Sequence, residues 1–334
     1  MKILVLAGGI SPERDVSMRS GALAAEALSR LGHSVALCDI SSPVSAQKCA
    51  RFGCDIKCES AIPARPAPGT ETKSGRLVGE GVIELCLDAD VCFLALHGGM
   101  GEDGHAQATL DEYGITYTGS SMESCHSAMD KYISKLICRE AGVTVPRGKL
   151  LKKGDNAGDV PFPAVIKPCT CGSSVGVHFA ESADELKTAI EEAFCHGDRV
   201  LVEEKITGRE FSVSVLNDAA LPPVEIITHG GFYDFESKYQ FGMTDDVCPA
   251  NVTEKERNEL SRLALLAHKA LGMRDFSRSD FIMTGDGAIY YLETNALPGL
   301  TENSLFPRAA AAVGIGYGEL CEKICAMALE RTKK

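Results

Sequence analysis

The sequence predicts an α/β protein whose chain begins with an open, mainly parallel β-sheet. The apolar segment KILVLAGG is typical of a buried strand, and residues 12–31 have a helical periodicity that ends at Gly32, a residue favoured just after a helix. SVALCDI and DADVCFLALHGGMGEDG continue the alternation, the second running from a buried strand into a glycine-rich loop. Because strands and helices alternate, we expect ligands at the C-terminal ends of the strands.

Two further units follow, with boundaries that we place near Ser121 and Gly208. The second unit begins with a predicted helix over residues 124–141 and contains the strands FPAVIKP and RVLVEEKI. A Ser182-x-x-Glu185 capping box predicts a further helix between these strands.

The third unit contains the strand REFSVSVL, a polar and aromatic loop around residues 229–243, and a helix opened by Thr253-x-x-Glu256. An apolar hairpin and two more helices complete it. Residues 59–79 are rich in Pro, Gly, Ser and Thr, which predicts an irregular excursion from the first unit.

Composition excludes several classes of protein. The 334 residues suffice for two or three domains. With 34 basic and 46 acidic residues the net charge is −12, and no basic stripe occurs, which argues against tight nucleic-acid binding. No apolar run is long enough to span a membrane. The first apolar run ends at Gly8-Gly9, too early for a signal peptide, so we expect a cytoplasmic protein.

The 14 cysteines are expected to be reduced thiols. Three pairs, Cys54-x3-Cys58, Cys169-x-Cys171 and Cys321-x3-Cys325, leave a metal site open as an alternative. None has the paired CxxC spacing of a zinc site, and the last pair would share one face of a C-terminal helix, which favours structural thiols.

The stretch SRSDFIMTGDGAIYYLETN contains an arginine and two carboxylates among its apolar residues. Asp286-Gly287 predicts a two-residue type I′ loop. In that register Asp280 lies opposite Glu293, and Arg278 lies opposite Asn295, all on one face because side chains alternate along a strand. The residues predicted for the opposite, core-facing side are Phe281, Met283, Tyr290 and Leu292.

Directly opposed carboxylates repel one another, since their Cβ atoms are roughly 4.5–5.5 Å apart. A cation between Asp280 and Glu293 would remove the repulsion, and Asn295 adds an oxygen ligand of the kind that suits Mg²⁺ or Mn²⁺ better than zinc. Such ions commonly bridge substrate phosphates, and Arg278 is placed to meet developing negative charge. The alternative is a salt-bridged hairpin end at the surface.

Nucleotide-binding features are present, although the sequence contains no GxxxxGK[ST] and its first strand leads to AGGISPE rather than GxGxxG. Lys167 ends the strand FPAVIKP, and CGSSVG follows with backbone N–H groups and hydroxyls that suit phosphate oxygens; a plain flexible loop is the alternative. LVEEKITGREF is a strand running into a turn, which could be an interdomain hinge whose backbone binds an adenine edge, with Glu210 at the ribose; charged strand ends that face solvent are the alternative. Lys131 and Lys135 lie one helical turn apart, where exposure to solvent is the alternative.

Taken in order, these segments resemble the D-alanine–D-alanine ligase family of the ATP-grasp superfamily. The likeness covers nearly the whole chain and rests on the motifs GGISPERDVSMRSG, LHGGMGEDG, YTGS with MDK, VIKP with GSSVGV, VEEKITGREF, FYDFESKY, RSDF and LETNALPGLTENSLFP. The resemblance implies a three-domain ATP-grasp architecture, with a substrate-binding α/β domain over residues 1–121, a central domain over 122–207 and a C-terminal domain over 208–334. ATP would lie between the second and third domains.

The resemblance also implies ATP and metal ligands. The residues implied for ATP are Lys131, Lys167 and Lys238 at the phosphates and Glu203, Glu204, the Ile206 backbone and Glu210 at adenosine. The residues implied for two Mg²⁺ or Mn²⁺ ions are Asp280, Glu293 and Asn295, in agreement with the hairpin register.

For the amino-acid substrates, the family implies that Glu13 orients the ammonium group of the first D-alanine, with His97 nearby. Ser173 and Tyr239 would join Glu13 in a hydrogen-bonded set that closes the active-site loop. Ser304 and Leu305 are implied to bind the carboxylate of the second substrate. Arg278 and the Gly299 N–H are implied to bind the oxyanion.

Taken singly, these residues have ordinary alternatives. Glu13 could simply stabilise the N-terminus of a helix, and His97 could be a core histidine. The sequence departs from the family pattern at Cys171, before GSSVGV, and at His105-Ala106, after GEDG. Neither departure removes a residue with an implied chemical role.

The resemblance implies ATP-dependent ligation of two D-alanine molecules through a D-alanyl phosphate, by a homodimeric enzyme of peptidoglycan synthesis. Tyr239 predicts peptide formation, because relatives that make the D-alanyl-D-lactate ester have phenylalanine there. The alternatives are a non-catalytic nucleotide-binding regulator of the same fold and a ligase that joins a different pair of amino acids.

Overall fold

The computed structural model describes residues 1–57, 77–158, 160–172, 174–228 and 244–333. The predicted excursion at 59–79 and the predicted polar loop at 229–243 therefore lie largely or wholly outside the described residues. The α-helices of the described part are α1 (Arg14–Arg30), α2 (Val82–Leu87), α3 (His105–Glu112), α4 (Met122–Met129), α5 (Lys131–Glu140), α6 (Ala183–Ala193), α7 (Glu254–Ala270), α8 (Leu305–Ala311) and α9 (Tyr317–Thr332).

The strands of the described part form three sheets. Their bounds are β1 (Lys2–Ala7), β2 (Ser34–Asp39), β3 (Val91–Leu94), β4 (Gly148–Lys152), β5 (Ala164–Pro168), β6 (His178–Ala180), β7 (Arg199–Glu204), β8 (Arg209–Leu216), β9 (Ala219–Ala220), β10 (Val224–Thr228), β11 (Thr244–Val247), β12 (Phe276–Met283) and β13 (Ile289–Asn295). The first sheet has the order β2-β1-β3, the second β4-β7-β5-β6, and the third β11-β10-β8-β12-β13 with β9 paired to β8.

The first sheet is parallel, as the alternation of strands and helices predicted. Residues 3–7 of β1 are fully buried, and α1 packs against this strand so closely that a Cβ on Gly21 would lie 2.5 Å from the Cβ of Ala7. The core around this sheet also contains Leu320, Ile324 and Ala328 of the last helix, α9. The chain therefore returns at its end to the sheet with which it began.

The second and third sheets are antiparallel. They form separate cores, one under α6 and one under α7. The predicted capping box of α7 is confirmed: Thr253 Oγ1 accepts the N–H of Glu256, and Glu256 Oε2 accepts the N–H of Thr253 at 2.7 Å. At α6 only half of the predicted box forms, because the Glu185 carboxylate is directed to the N–H of Glu181.

The single helix predicted over residues 124–141 is wrong. The chain forms α4 and α5, separated at Asp130, whose φ of −80° and ψ of 105° are not helical. Its Oδ1 accepts the N–H groups of Tyr132 and Ile133, both at 3.0 Å, and its Oδ2 pairs with Arg199. An aspartate that caps a new helix in this way competes with continuation of the old one.

The predicted two-residue loop between β12 and β13 is also wrong. Thr284 N–H donates to the Ala288 carbonyl at 2.9 Å, which leaves a three-residue loop, 285–287, ending at Gly287 with a φ of +87°. Asp280 pairs with Glu293 but the next residue, Phe281, pairs with Tyr291, so β13 has one extra residue at this step. This register shift compensates for the longer loop. The predicted pairs Asp280–Glu293 and Arg278–Asn295 are consequently confirmed.

The same shift changes the core face of the hairpin. Phe281 and Met283 are buried as predicted, but their partners in the core are Tyr291 and Ile289 rather than Leu292 and Tyr290. A bulged strand places two residues opposite one and so reverses which of them point inward beyond that step. In the described ranges, none of the helices is both long and apolar enough to cross a membrane.

Candidate active site

Asp280 is buried at the centre of a polar group on the face of the third sheet opposite Phe281 and Met283. Its Oδ1 accepts Ser212 Oγ at 2.7 Å and Arg278 Nε at 3.0 Å, and its Oδ2 accepts the Arg278 terminal nitrogen at 2.9 Å. Asn295 Nδ2 lies 3.4 Å from the same Oδ2. The predicted group of Asp280, Arg278 and Asn295 is thus assembled by neighbouring strands, and the arginine is held in a bidentate pair.

Glu293 joins this hairpin to the central part of the chain through Lys131, the first residue of α5. Lys131 Nζ lies 2.9 Å from Glu293 Oε2 and donates to the Cys171 carbonyl at 2.8 Å. Burial opposes the charge of Lys131, but Glu293 outweighs it and raises the pKa of the lysine above its ordinary value. The alternative of a solvated lysine is wrong, since Lys131 is only 9% exposed.

A second ionic group lies on the second sheet, where Glu203 of β7 meets two lysines. Lys135 Nζ is 2.7 Å from Glu203 Oε1, and Lys167 Nζ is 2.6 Å from Glu203 Oε2. Burial alone would raise the pKa of Glu203, but the two lysines together lower it. Burial lowers the pKa of Lys135 to about 8 despite the attraction of Glu203. Two cations around one carboxylate leave a net positive charge at the end of β5.

The neighbouring Glu204 points elsewhere. Its carboxylate accepts the backbone N–H of Arg147 at 2.9 Å and the Arg147 Nε at 2.8 Å. Glu210 lies on β8 between β10 and β12, opposite Ile226 and Ile282, and Ile206 lies in the turn between β7 and β8. The residues predicted to bind adenosine therefore lie along the segment that connects the second sheet to the third.

Glu13 precedes α1 and faces the glycine-rich turn that follows β3. A Cβ on Gly98 would lie 2.4 Å from Glu13 Oε2, and a Cβ on Gly172 would lie 3.7 Å from the same oxygen. These short distances show that Glu13, which follows the first strand, lies beside the loop after β5. Glycine is required at Gly98, because its φ is +66° and a side chain would collide with the carboxylate.

His97 is buried behind Glu13. Its Nε2 lies 2.9 Å from Ser20 Oγ, and its ring forms a hydrogen bond with the Leu297 carbonyl. Burial lowers the pKa of His97, while the Glu13 carboxylate and the bond to Leu297 oppose that shift. The histidine thus joins the first sheet to the segment after β13.

Glu102 belongs to the same site, although no role was predicted for it. Its Oε2 accepts the N–H of Gly98 at 2.9 Å, and it lines a cavity of about 30 Å³ together with Lys131, Glu293 and Asn295. Burial, and next the carboxylate of Glu13, raise the pKa of Glu102 to about 8. The only sequence feature that marks it is its place in GEDG, the loop after a buried strand.

The segment after β13 brings Gly299 to the start of α8. A Cβ on Gly299 would lie 2.9 Å from Ser304 Oγ, which in turn lies 2.7 Å from Thr301 Oγ1. Leu305 is the first residue of α8, so its N–H is one of those that the helix leaves unpaired. Ser173, Lys238 and Tyr239, also predicted for the site, lie outside the described residues.

The hairpin ligands fit a hard divalent cation. In the described part of the chain, no three His, Cys, Asp or Glu side chains cluster as metal ligands. A cation here would therefore rest on two carboxylates and the Asn295 amide oxygen, with its other positions left for substrate oxygens and water, which is the usual arrangement for Mg²⁺ at phosphates. The cysteines of the described ranges are free thiols.

Comparisons with known proteins agree across the whole chain. The model of the D-ala D-ala ligase N-terminus matches residues 2–120, and that of the D-ala D-ala ligase C-terminus matches residues 147–326. The D-alanine–D-alanine ligase of Anaeromyxobacter dehalogenans strain 2CP-1 is 38% identical over 329 residues, which cover 97% of this chain and 95% of the relative. That of Pediococcus pentosaceus is 38% identical, with 97% and 96% covered.

Solved structures of such ligases have the same fold. The D-alanine–D-alanine ligase from Bacillus anthracis complexed with ATP superposes with a TM-score of 0.77 at 28% identity, covering 100% of this chain and 99% of that chain. The VanG D-Ala:D-Ser ligase from Enterococcus faecalis superposes with a TM-score of 0.79 at 26% identity, covering 98% and 99%. The predicted ATP-grasp architecture is thereby confirmed.

Proposed function

The chain belongs to the D-alanine–D-alanine ligase family, and we propose how its own residues perform the reaction of that family. The enzyme uses ATP to join two D-alanine molecules into D-alanyl-D-alanine, a peptidoglycan precursor, through a D-alanyl phosphate. The observation that supports the residue roles best is the convergence of Glu13 at the start of α1, Lys131 at the start of α5, and Glu293 with the Arg278–Asp280 pair on the third sheet.

ATP lies between the second and third sheets in this proposal. Lys131, Lys167 and Lys238 neutralise its phosphates, which is supported by the contact of buried Lys131 with the Cys171 carbonyl and by the half-buried position of Lys167 beside Glu203. Glu210 holds the ribose, and Glu203 contributes at adenosine while its carboxylate stays paired with Lys135 and Lys167. Glu204 and Ile206 contribute through their backbones, because the Glu204 carboxylate is committed to Arg147. The remaining predicted residue, Ser173, closes the loop over the phosphates.

Two Mg²⁺ or Mn²⁺ ions would be held by Asp280, Glu293 and Asn295. The oxygen ligands and their pairing across β12 and β13 support this assignment. When bound, the ions neutralise phosphate charge during transfer. Asp280 is held in place by Ser212 and Arg278, and a cation would replace part of this hydrogen bonding at its two oxygens.

The first D-alanine lies beside Glu13, which orients its ammonium group, with His97 behind it. Its carboxylate oxygen attacks the γ-phosphorus of ATP, and ADP leaves. The amine of the second D-alanine then attacks the carbonyl carbon of the acyl phosphate, and inorganic phosphate and a proton from the amine are released when the tetrahedral oxyanion collapses. Arg278 and the Gly299 N–H stabilise the resulting oxyanion. Ser304 and the Leu305 N–H bind the carboxylate of the second substrate, and Tyr239 with Ser173 and Glu13 keeps the loop closed so that water cannot hydrolyse the intermediate.

We further propose a cytoplasmic homodimer with domains at 1–121, 122–207 and 208–334. Free thiols in the described ranges support a reducing compartment. The family resemblance supports the dimer, which light scattering on the purified protein tests. A monomer at micromolar concentration would contradict it.

The experiment that tests the function is phosphate release with Mg-ATP plus D-alanine, L-alanine or no amino acid, with the product's mass determined. We expect turnover with D-alanine alone and the mass of the dipeptide. D-serine and D-lactate are added in competition, because a similar solved structure is a D-Ala:D-Ser ligase. Preferential use of D-lactate at neutral pH would contradict the role of Tyr239. The Asp280→Asn variant is expected to be inactive at Mg²⁺ concentrations that saturate the wild-type enzyme.

A further inference from the structure

The turn at residues 98–102 is closed by hydrogen bonds within itself. The N–H groups of Gly101, Glu102 and Asp103 donate to carbonyls at 98 and 99, at distances of 3.3, 3.0 and 3.0 Å. The N–H of Gly98 points the other way and is accepted by the Glu102 side chain, at 2.9 Å from Oε2. Gly98 and Gly99 both have positive φ, +66° and +48°, and because glycine is conformationally permissive, the hydrogen bond to Glu102 restricts a turn whose backbone could otherwise change conformation easily.

This turn is the surface against which the Glu13 carboxylate rests. A Cβ on Gly98 would lie only 2.4 Å from Glu13 Oε2. The two segments are also joined through Ser11, whose Oγ donates to the His97 carbonyl at 2.8 Å and accepts the N–H of Glu13 at 3.1 Å. A displacement of Gly98 therefore displaces the carboxylate as well.

We propose that Glu102 is a positioning residue for Glu13, acting as the hydrogen-bond acceptor that fixes the Gly98 turn beside the Glu13 carboxylate. The proposal rests on the role of Glu13 at the ammonium group of the first D-alanine. In this proposal the glutamate of GEDG, Glu102, fixes the position of the Glu13 carboxylate that binds the substrate.

The acceptor oxygen, rather than a negative charge, is what the turn requires of Glu102. A second carboxylate close to Glu13 is disfavoured, and burial keeps the pKa of Glu102 raised. A neutral side chain with its carbonyl oxygen in the same place meets the Gly98 N–H equally well. Glutamine is such a side chain, whereas aspartate keeps the charge but is shorter by one methylene and withdraws the oxygen.

The test measures ADP formation at saturating Mg-ATP over a D-alanine series, fitted for two D-alanine sites. We expect Glu102→Ala and Glu102→Asp to raise the KM of the first site by about tenfold, the equivalent of one ordinary hydrogen bond, with the KM for ATP unchanged. Glu102→Gln is expected to keep the wild-type KM. If Glu102→Ala fails to fold, the Asp and Gln variants still separate position from charge.

The control for general loosening of the loop is Asp103→Ala. Asp103 Oδ1 accepts the N–H of His105 at 3.0 Å in the same segment. This variant removes a loop hydrogen bond of the same kind, and we expect it to leave the KM for D-alanine unchanged.

A double-variant cycle with Glu13→Gln completes the test. Because Glu102 acts through Glu13, the effect of Glu102→Asp should disappear in the Glu13→Gln background. Full multiplicative effects, or a Glu102→Gln variant as poor as Glu102→Ala, would overturn the proposal. If Glu13→Gln itself leaves the KM for D-alanine unchanged, the proposed role of Glu13 fails and the inference fails with it. If Glu13→Gln raises that KM and the Glu102 variants do not, the inference fails alone.

Discussion

The proposed role of Arg278 at the oxyanion depends on its planar, forked guanidinium, which donates to both oxygens of Asp280. We predict that Arg278→Ala lowers kcat by about 10²–10³-fold, the usual cost of losing one oxyanion donor, and that Arg278→Lys recovers little of it because an ammonium cannot keep the bidentate geometry. The measurement is kcat at saturating D-alanine and ATP. Arg262→Ala is the control, since Arg262 forms an exposed pair with Glu259. Unchanged kcat in Arg278→Ala would remove the residue from the oxyanion site.

Asp39 shows how one carboxylate orders the loop that leads to Glu13. Its Oδ1 accepts the N–H groups of Gly9 and Ser41, each at 3.0 Å, and its Oδ2 lies 2.7 Å from an Arg14 nitrogen. Burial alone would raise the pKa of Asp39, but these partners together lower it.

The lowered pKa of Asp39 predicts a pH-dependent contribution to stability. Its stabilisation is complete above the unfolded pKa, near 4, and is lost as the pH falls through the lower folded pKa. We expect Asp39→Asn to reduce the free energy of unfolding by about 1–3 kcal/mol at pH 7, with the difference from wild type shrinking below pH 4. Urea unfolding at several pH values measures it, and a difference independent of pH would contradict the ionic explanation.

At the scale of elements, the β12–β13 hairpin depends on one glycine conformation. Gly287 has a φ of +87°, whereas Gly285 in the same loop does not have positive φ, and a Cβ would meet nothing within 4 Å at either position. We predict that Gly287→Ala costs about 1 kcal/mol of stability through backbone strain alone, and that Gly285→Ala costs less. Thermal unfolding of the two variants measures this. Equal losses would show that φ is not the cause.

The same hairpin shows which elements could be predicted. The pairing of Asp280 with Glu293 was predicted correctly, but from a loop one residue too short, and the bulge after Asp280 restored the register. With the bulge between them, Tyr291 and Thr294 are both buried, and the Tyr291 hydroxyl donates to Thr294 Oγ1 at 2.9 Å. A strict two-residue alternation of side chains does not predict this arrangement.

Helix breaks and buried charges were predicted less well, for similar reasons. Asp130 divides the helix predicted over 124–141 because its side chain caps a new one, and its pairing with Arg199 depends on a strand distant in sequence. Lys135 and Glu102 have no local mark of burial, since only the approach of Glu203 and of the Gly98 turn places them in the site. Local patterns predicted the parallel sheet, the capping box of α7 and the hairpin pairing, whereas features that depend on neighbours distant in sequence were not predicted.

At the scale of the whole molecule, the proposed site draws on all three sheets, so we expect their relative placement to affect catalysis. Arg331 of α9 is one of the residues that sets it. Its guanidinium donates to the Tyr117 carbonyl at 2.8 Å and pairs with Asp275 Oδ2, which also accepts the N–H of Gly119 at 2.9 Å. The last helix, the end of the first unit and the start of β12 are joined at this point.

We therefore predict that Arg331→Ala lowers the free energy of unfolding by about 2 kcal/mol, because it removes charge-assisted hydrogen bonds and leaves Asp275 without its cation. Arg331→Lys should recover part of the loss, since an ammonium reaches one partner but not both. Lys323→Ala is the matched control on the same helix: its exposed pair with Glu319 should contribute little. Since Asp275 directly precedes β12, which contains Arg278 and Asp280, the variant should also lower kcat/KM at temperatures where it remains folded. Loss of stability with unchanged kcat/KM would show that this junction supports the fold without orienting the site.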